Sequence, residues 1–216
     1  MVENVVYFLL FLSVIIYAFS YFKNSFEIDL KFFVIYLGCV FSFEIIALYL
    51  HSVERDNLFL YNILTFLEFN CLLFFLKEDL ELKSEKLNIK LIIKIFNIIY
   101  VLSSIYYLVF ESLTKKYNSI ASISGSVLLT IALFLFFKAI LNSNKILNYK
   151  KSISFWIAFG LLVYYLGTIP ITSIMNYMSN LSKEIVIYLF NIQIVLSYFM
   201  YSCFIFGVLW SHKKVK

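Results

Sequence analysis

The chain is divided into seven apolar blocks, each about twenty residues long. A helix rises about 1.5 Å per residue, so each block is long enough to cross the roughly 30 Å hydrocarbon core of a bilayer. The blocks are continuous rather than alternating, which excludes a transmembrane β-barrel. We predict an all-α integral membrane protein, a seven-transmembrane-helix bundle that forms one domain over residues 1–216. The predicted spans are about residues 4–22, 32–50, 58–76, 91–110, 119–137, 153–174 and 185–210.

The composition agrees with this prediction. The chain is 62% hydrophobic and only 14% charged, whereas a soluble domain has about 45–50% apolar and roughly 25% charged residues. The longest polar stretch between two blocks has about fourteen residues. The sequence therefore predicts no additional soluble domain.

The basic residues predict an orientation. Fourteen of the 18 Lys and Arg residues fall in the first, third and fifth loops, their flanks and the C-terminal tail, and four fall on the other side. Because cytoplasmic loops retain Lys and Arg, we expect the N-terminus outside and the C-terminus in the cytoplasm. The same rule accounts for the formal net charge of +5. We therefore expect the lipid bilayer as a partner and no direct nucleic-acid binding. The excess of Lys, Asn, Ile, Phe and Tyr suggests AT-rich codons and a bacterial inner membrane.

Two carboxylates lie deep inside predicted spans. Glu44 is about three residues outward of the centre of span two, and Glu68 lies almost at the midplane of span three. A charged side chain in hydrocarbon costs about 2.5–3.5 kcal/mol, so intramembrane glutamates are candidates for function. A short loop joins the two spans, and the depths of the carboxylates differ by about 6 Å. We expect the two groups to share one polar pocket without a direct hydrogen bond between them.

Helical spacing predicts two polar stripes. Tyr61, Thr65 and Glu68 stand at i, i+4 and i+7 on span three, so they share one face. A second stripe on span seven comprises Tyr188, Asn191, Val195, Tyr198 and Ser202. Lipid can satisfy neither stripe, so we expect both to face the bundle interior. The candidate intramembrane polar pocket is formed by Glu44, Glu68, Tyr61, Thr65, Asn191 and Tyr198.

This interior has two interpretations. In one, Glu68 is protonated, bonds to an Asn, Ser or Tyr side chain on a facing helix and fixes the helix register. In the other, Glu68 and Glu44 line a cavity that binds a cation, a proton or a small ligand. The sequence leaves both open, although two glutamates in adjacent spans are more than structural bonding requires.

Span six carries residues that shape a helix. Pro170 removes one backbone hydrogen bond and is expected to kink the outer third of the span. Gly160 and Gly167 are seven residues apart on one face and allow another helix to approach closely. Such breaks occur in transporter binding sites and also in ordinary helix bundles.

The sequence carries no catalytic or metal-binding motif. His51 and His212 are predicted at opposite membrane edges, so they are not expected to ligate one metal. Cys39, Cys71 and Cys203 fall inside spans without metal-ligand spacing and are expected to pack as small hydrophobes. No predicted span contains an aspartate, and no G-x-S-x-G, P-loop or dinucleotide motif occurs. We therefore expect a non-enzymatic protein with no catalytic residues, no metal and no cofactor.

Two stretches and the short basic tail carry a resemblance to known proteins. These stretches are YNILTFLEF (61–69) and FWIAFGLLVYYLG (155–167). They resemble a widespread family of small bacterial seven-span membrane proteins. The size and span count are also similar to those of the membrane accessory proteins encoded beside type VI-B CRISPR effectors. That closer resemblance implies a role in modulating an RNA-guided, RNA-cleaving effector in antiviral defence, and it implies no particular functional residues.

The sequence thus supports two functional hypotheses. The first is a non-enzymatic accessory or regulatory membrane protein that contacts a cytoplasmic protein effector through loops 77–90 and 138–151 and the C-terminal tail. The alternative is a small transporter, channel or ligand-sensing protein that uses Glu44 and Glu68. The oligomeric state is left open.

Overall fold

In the part of the chain that it describes, the computed structural model of the protein contains seven long α-helices. The structure describes residues 2–26, 28–82, 89–112, 114–142 and 146–211. Each of the seven helices is long and apolar enough to cross a membrane, which confirms the predicted helical spans. The boundaries agree within a few residues, except that the third helix continues well past the predicted end at residue 76. The helices are α1 (Val2–Phe22), α2 (Lys31–Ser52), α3 (Leu58–Leu82), α4 (Ile89–Tyr106), α5 (Ser119–Leu141), α6 (Ile153–Ile174) and α7 (Lys183–Trp210).

Polar residues in the connections begin two of these helices. The Asn118 side chain accepts a hydrogen bond from the Ala121 N–H at 3.1 Å at the start of α5. Ser182 accepts one from the Ile185 N–H at 3.5 Å at the start of α7. Such side chains satisfy N–H groups that have no partner within the helix. Short turns extend other ends: a π-helical turn follows α4 at Tyr107–Glu111, and 3₁₀ turns lie at Ile146–Lys151 and Met175–Asn180.

Six helices form a closed ring. Each helix in the order α1, α2, α3, α5, α6, α7 packs against the next, and α7 packs against α1. The remaining helix, α4, packs on the outside of this ring against α3 and α5. The interior of the ring is therefore bounded by six helices, and α4 supports two of them from behind.

The pair α6 and α7 approaches closely at glycines, as the sequence predicted. A Cβ atom added at Gly160 would lie 3.0 Å from the Cβ of Cys203 and 3.1 Å from the Met200 carbonyl oxygen. At Gly167 it would lie 2.8 Å from a methyl group of Leu196. Small residues of this kind let helix backbones approach in a membrane. The helix α6 continues through Pro170 to Ile174.

One half of the ring interior is filled by aromatic rings. Tyr17, Phe33, Phe75 and Phe204 are each fully buried. The Phe33 ring centroid lies 4.8 Å from that of Tyr17, 5.0 Å from that of Phe204 and 5.3 Å from that of Phe75. The Tyr17 hydroxyl also donates a 3.0 Å hydrogen bond to the Phe204 carbonyl. This cluster joins α1, α2, α3 and α7 near the end of the bundle where α1 ends.

The outer surface is apolar. Large hydrophobic side chains point away from the bundle on every helix, and on the turn after α4 three consecutive ones, Leu108, Val109 and Phe110, are exposed. A contiguous surface of this kind is unfavourable in water and is the normal exterior of a protein surrounded by lipid. The seven candidate spans and this exterior indicate an integral membrane protein.

Candidate functional site

The ring surrounds a partly open cavity of about 350 Å³. This lies within the roughly 300–1,000 Å³ of small-molecule sites. Its walls come from the first halves of α1, α3 and α5, the second half of α6 and the middle parts of α2 and α7. Because successive helices run in opposite directions, these segments meet in the half of the bundle where the chain begins. Among the described residues, none from α4 lines the cavity.

Glu44 and Glu68 both line this cavity, and both are half-buried. Each carboxylate accepts a hydrogen bond from a tyrosine on another helix. The Tyr61 hydroxyl on α3 donates to Glu44 Oε2 on α2 at 3.3 Å. The Tyr165 hydroxyl on α6 donates to Glu68 Oε1 on α3. Among the described lining residues these two glutamates are the charged ones, so the cavity wall holds acidic groups without a basic counterpart.

Tyrosine is the most frequent side chain in the cavity wall. Tyr165 is buried, and its ring centroid lies 5.3 Å from that of Phe69 and 5.1 Å from that of Tyr164, with the two tyrosine rings at 87° to each other. The cavity is thus aromatic as well as acidic. The seven tyrosines that line it are Tyr7, Tyr36, Tyr61, Tyr117, Tyr164, Tyr165 and Tyr201.

One of these tyrosines, Tyr117, belongs to the connection between α4 and α5. Two asparagine side chains hold the backbone of this connection against the bundle. Asn62 of α3 donates to the Lys116 carbonyl at 3.0 Å and accepts from the Asn118 N–H at 2.8 Å. Asn176, after α6, accepts from the Tyr117 N–H at 3.1 Å and donates to the Tyr117 carbonyl at 2.9 Å. The connection is therefore folded inward, and it supplies part of the cavity wall.

The Tyr117 hydroxyl lies 3.4 Å from Thr65 Oγ1, on the same face of α3 as Glu68. Burial raises the pKa of Tyr117 above its ordinary value. The hydroxyl is protonated at neutral pH, and Tyr117 presents a neutral polar group in the cavity wall near Glu68.

The cavity ends within the bundle. The aromatic cluster of Tyr17, Phe33, Phe75 and Phe204 fills the half of the ring beyond it, and none of these four residues lines the cavity.

The structure brings four of the six predicted pocket residues together. Glu44, Tyr61, Thr65 and Glu68 all line the cavity. Thr65 also donates a hydrogen bond to the Tyr61 carbonyl at 2.8 Å, which keeps its side chain along α3. The two glutamates thus share one cavity while bonding to different tyrosines. The inward stripe predicted on span seven is not part of this wall.

The prediction for α7 chose the wrong face. Asn191 is exposed and Tyr198 is half-buried, and neither lines the cavity. Two other members of the predicted stripe point outward, because Tyr188 is 69% and Val195 is 63% exposed. The wall is formed instead by Phe190, Gln193, Ile194, Ser197, Met200 and Tyr201.

The physical reason is that two faces of α7 carry polar residues at helical spacing. Gln193 and Ser197 are four residues apart, just as Asn191 and Val195 are. The two stripes are offset by two residues, which is about 200° around a helix with 3.6 residues per turn. Helical spacing is the same for both stripes and does not show which one faces inward. The outer stripe also contains the hydroxyl groups of Tyr188 and Tyr198, which favoured the prediction that it lies inside.

Two asparagines close to Glu68 in sequence serve other contacts. Asn62 holds the connection that contains Tyr117, as described above. Asn70 on α3 and Asn97 on α4 exchange amide hydrogen bonds of 3.2 and 3.0 Å. This pair attaches α4 to the outside of the ring. The polar residues near Glu68 in the sequence therefore serve different contacts: Glu68 lines the cavity, Asn62 bonds to the loop and Asn70 bonds to α4.

The described residues contain no group of three or more His, Cys, Asp or Glu side chains able to hold a metal ion.

No family model matches the chain, and no curated protein or solved structure does either. The protein is thus defined by its own architecture, a seven-helix membrane bundle with an acidic, tyrosine-lined cavity. The implied CRISPR accessory role stays a prediction. The loops predicted to contact an effector include residues 83–88 and 143–145, which with residues 212–216 of the tail lie outside the described part of the chain.

Proposed function

We propose that this protein binds a small organic cation in the cavity between α1, α2, α3, α5, α6 and α7. The observation that carries the proposal is the pairing of Glu44 and Glu68 with seven tyrosines in a cavity wall where the described residues include no Lys, Arg or His. Among the alternatives open in the sequence, this supports a ligand-sensing or transporting membrane protein.

The carboxylates favour a cation because of where they lie. Both are in segments able to span a membrane, where an ionised group needs a partner of opposite charge. The tyrosine hydroxyls donate one hydrogen bond to each carboxylate but carry no charge. A bound cation would supply the missing charge, and its attraction to carboxylates is strengthened in a site with few waters.

The tyrosine lining favours an organic cation. The face of an aromatic ring attracts a cation, and the gain is about 2 kcal/mol or more where water is excluded. Groups of aromatic side chains are the usual recognition site of quaternary ammonium ligands. An alkylammonium group also buries methyl or methylene surface against rings, which a hydrated metal ion does not.

Choline tests this proposal directly, since it combines a quaternary ammonium with a small hydroxyalkyl group. We expect the purified protein in nanodiscs to bind choline chloride, measured by isothermal titration calorimetry. The uncharged carbon analogue dimethylbutanol has almost the same shape and should bind at least about tenfold more weakly, because it lacks the charge attracted by the rings and carboxylates.

Sodium chloride at the same concentration controls for ionic strength. Equal binding of choline and dimethylbutanol would show that the cavity selects shape rather than charge and would contradict the proposal. Absence of choline binding at neutral and alkaline pH would also contradict it.

We also propose that the protein lies in a bacterial inner membrane with its N-terminus outside and its C-terminus in the cytoplasm, because of the unequal distribution of Lys and Arg. In this orientation the cavity lies in the outer half of the bilayer. Alkaline phosphatase fused after Lys216 should then be inactive, and a green fluorescent protein fused there should be fluorescent. The reverse pattern would place the cavity on the cytoplasmic side.

A further inference from the structure

We propose that cation binding in this cavity is an exchange, in which the incoming organic cation displaces one proton from Glu68. This inference rests on the proposed function and adds the identity of the second ligand, a proton, and the residue that holds it. It makes the cavity a site where two cations compete for one carboxylate.

The first argument is the charge of the empty cavity. Glu44 and Glu68 line the same space, and no described Lys, Arg or His side chain lines it with them. Ionising both carboxyls would leave two uncompensated negative charges inside a segment that spans a membrane. Removing an ion from water costs several kcal/mol even after the protein relaxes. Retaining a proton on Glu68 removes one of the two charges and lowers that cost when no cation is present.

The second argument is that each group facing Glu68 is either neutral or acidic. The side chains from α2 are Tyr36 and Glu44, and those from α6 are Tyr164 and Tyr165. The others near it are Cys71 on α3, Tyr117 in the loop and Tyr201 on α7. Lys116, in the same loop as Tyr117, is exposed and pairs with Glu111 instead. In the described part of the chain no cation faces an ionised Glu68, so a bound cation would balance its charge.

The third argument is that the surroundings of the two carboxyls differ in burial. Glu68 receives its hydrogen bond from Tyr165, which is buried among Phe69 and Tyr164. Glu44 receives its own from the half-buried Tyr61 at 3.3 Å. Glu68 thus has the more enclosed surroundings, which favour its neutral form when the cavity is empty. This assigns the exchangeable proton to Glu68.

The exchange conserves charge. The O–H bond of the Glu68 carboxyl breaks, its electron pair stays on the carboxylate, and the proton leaves through water to the solution. The organic cation takes its place beside the carboxylate. One positive charge enters and one leaves, so the bundle interior keeps the same net charge in both states.

Choline is a suitable probe because its quaternary ammonium cannot itself gain or lose a proton. Titrations at the same mildly acidic pH in phosphate and in ACES, a zwitterionic buffer with a different ionisation enthalpy, give the number of protons released per choline bound. We expect about one proton for the unchanged protein, one for Glu44→Gln and none for Glu68→Gln, with choline raised until each variant is saturated. Over the acidic range, where Glu68 holds its proton, the choline affinity of the unchanged protein should fall about tenfold for each unit by which the pH is lowered.

The outcomes separate the two proposals. Choline binding without proton release and without pH dependence would overturn the exchange and leave the proposed cation binding intact. Release that persists in Glu68→Gln and disappears in Glu44→Gln would assign the proton to the other carboxyl and overturn the inference as stated. Absence of choline binding at every pH would overturn the proposed function and this inference with it. The pH series needs only the unchanged protein, so it tests the exchange even if Glu68→Gln folds poorly. In that case loss of proton release in Glu44→Gln would still overturn the assignment to Glu68.

Discussion

Glu68→Gln should weaken choline binding by about 100-fold, which corresponds to about 3 kcal/mol. The amide keeps the size of the side chain and can still accept a hydrogen bond from Tyr165, so the cavity wall is conserved. What the variant removes is the negative charge that faces the cation in the cavity. Isothermal titration calorimetry on protein in nanodiscs, at a pH where the binding is saturable, measures the change.

Glu184→Gln is the matched control. Glu184 lies exposed in the first turn of α7 and undergoes the same chemical change away from the cavity. We expect its choline affinity to stay within about twofold of the unchanged protein. If both variants lose affinity equally, the effect arises from the net charge of the protein and the cavity is not the binding site. If neither loses affinity, Glu68 does not contact the cation.

Gly160→Val should lower the melting temperature by about 2–12 °C. The new side chain begins 3.0 Å from the Cβ of Cys203 and 3.1 Å from the Met200 carbonyl oxygen, so α6 and α7 must separate. One of these atoms belongs to the backbone and cannot rotate away. Overpacking of this type costs about 1–3 kcal/mol, and 1 kcal/mol shifts the melting temperature of a chain this size by about 2–4 °C. Thermal unfolding in detergent, followed by circular dichroism, measures the shift.

Gly38→Val provides the comparison at a glycine of another helix. A Cβ atom added at Gly38 in α2 would meet no atom within 4 Å. Gly38 is half-buried, but its substitution disturbs no close neighbour. This variant should therefore change the melting temperature by no more than about 2 °C, since substitutions that disturb no packing usually change stability by about 0.5 kcal/mol or less. Equal losses of melting temperature at both positions would show that helix propensity rather than packing determines the effect.

Gly160→Val should also weaken choline binding, because it displaces Met200, which lines the cavity.

The length and apolarity of the blocks were sufficient to predict the seven helices. Backbone groups in hydrocarbon must bond within their own segment, so a block of about twenty apolar residues has a single regular structure open to it. The depth of Glu44 and Glu68 followed from counting residues along two adjacent spans. Their placement on one cavity also followed, because a short loop makes spans two and three neighbours.

The face that each helix turns inward could not be predicted in the same way. In a soluble bundle, apolar residues mark the inward face and polar ones the outward face. In a membrane both the lipid side and the core side are apolar, so this contrast is lost. On α7 the sequence predicts that the stripe through Asn191 and Tyr198 faces inward, whereas Gln193 and Ser197 line the cavity.

By itself, the sequence indicated a membrane environment, seven helices and two glutamates far from the ends of their spans. Each of these depends on short-range properties, namely hydrophobic length and position within a block. Only the tertiary structure showed that α4 lies outside the ring, that Tyr117 is held in the cavity wall by Asn62 and Asn176, and that Tyr165 bonds to Glu68. These features depend on contacts between residues more than thirty positions apart, which local periodicity does not encode.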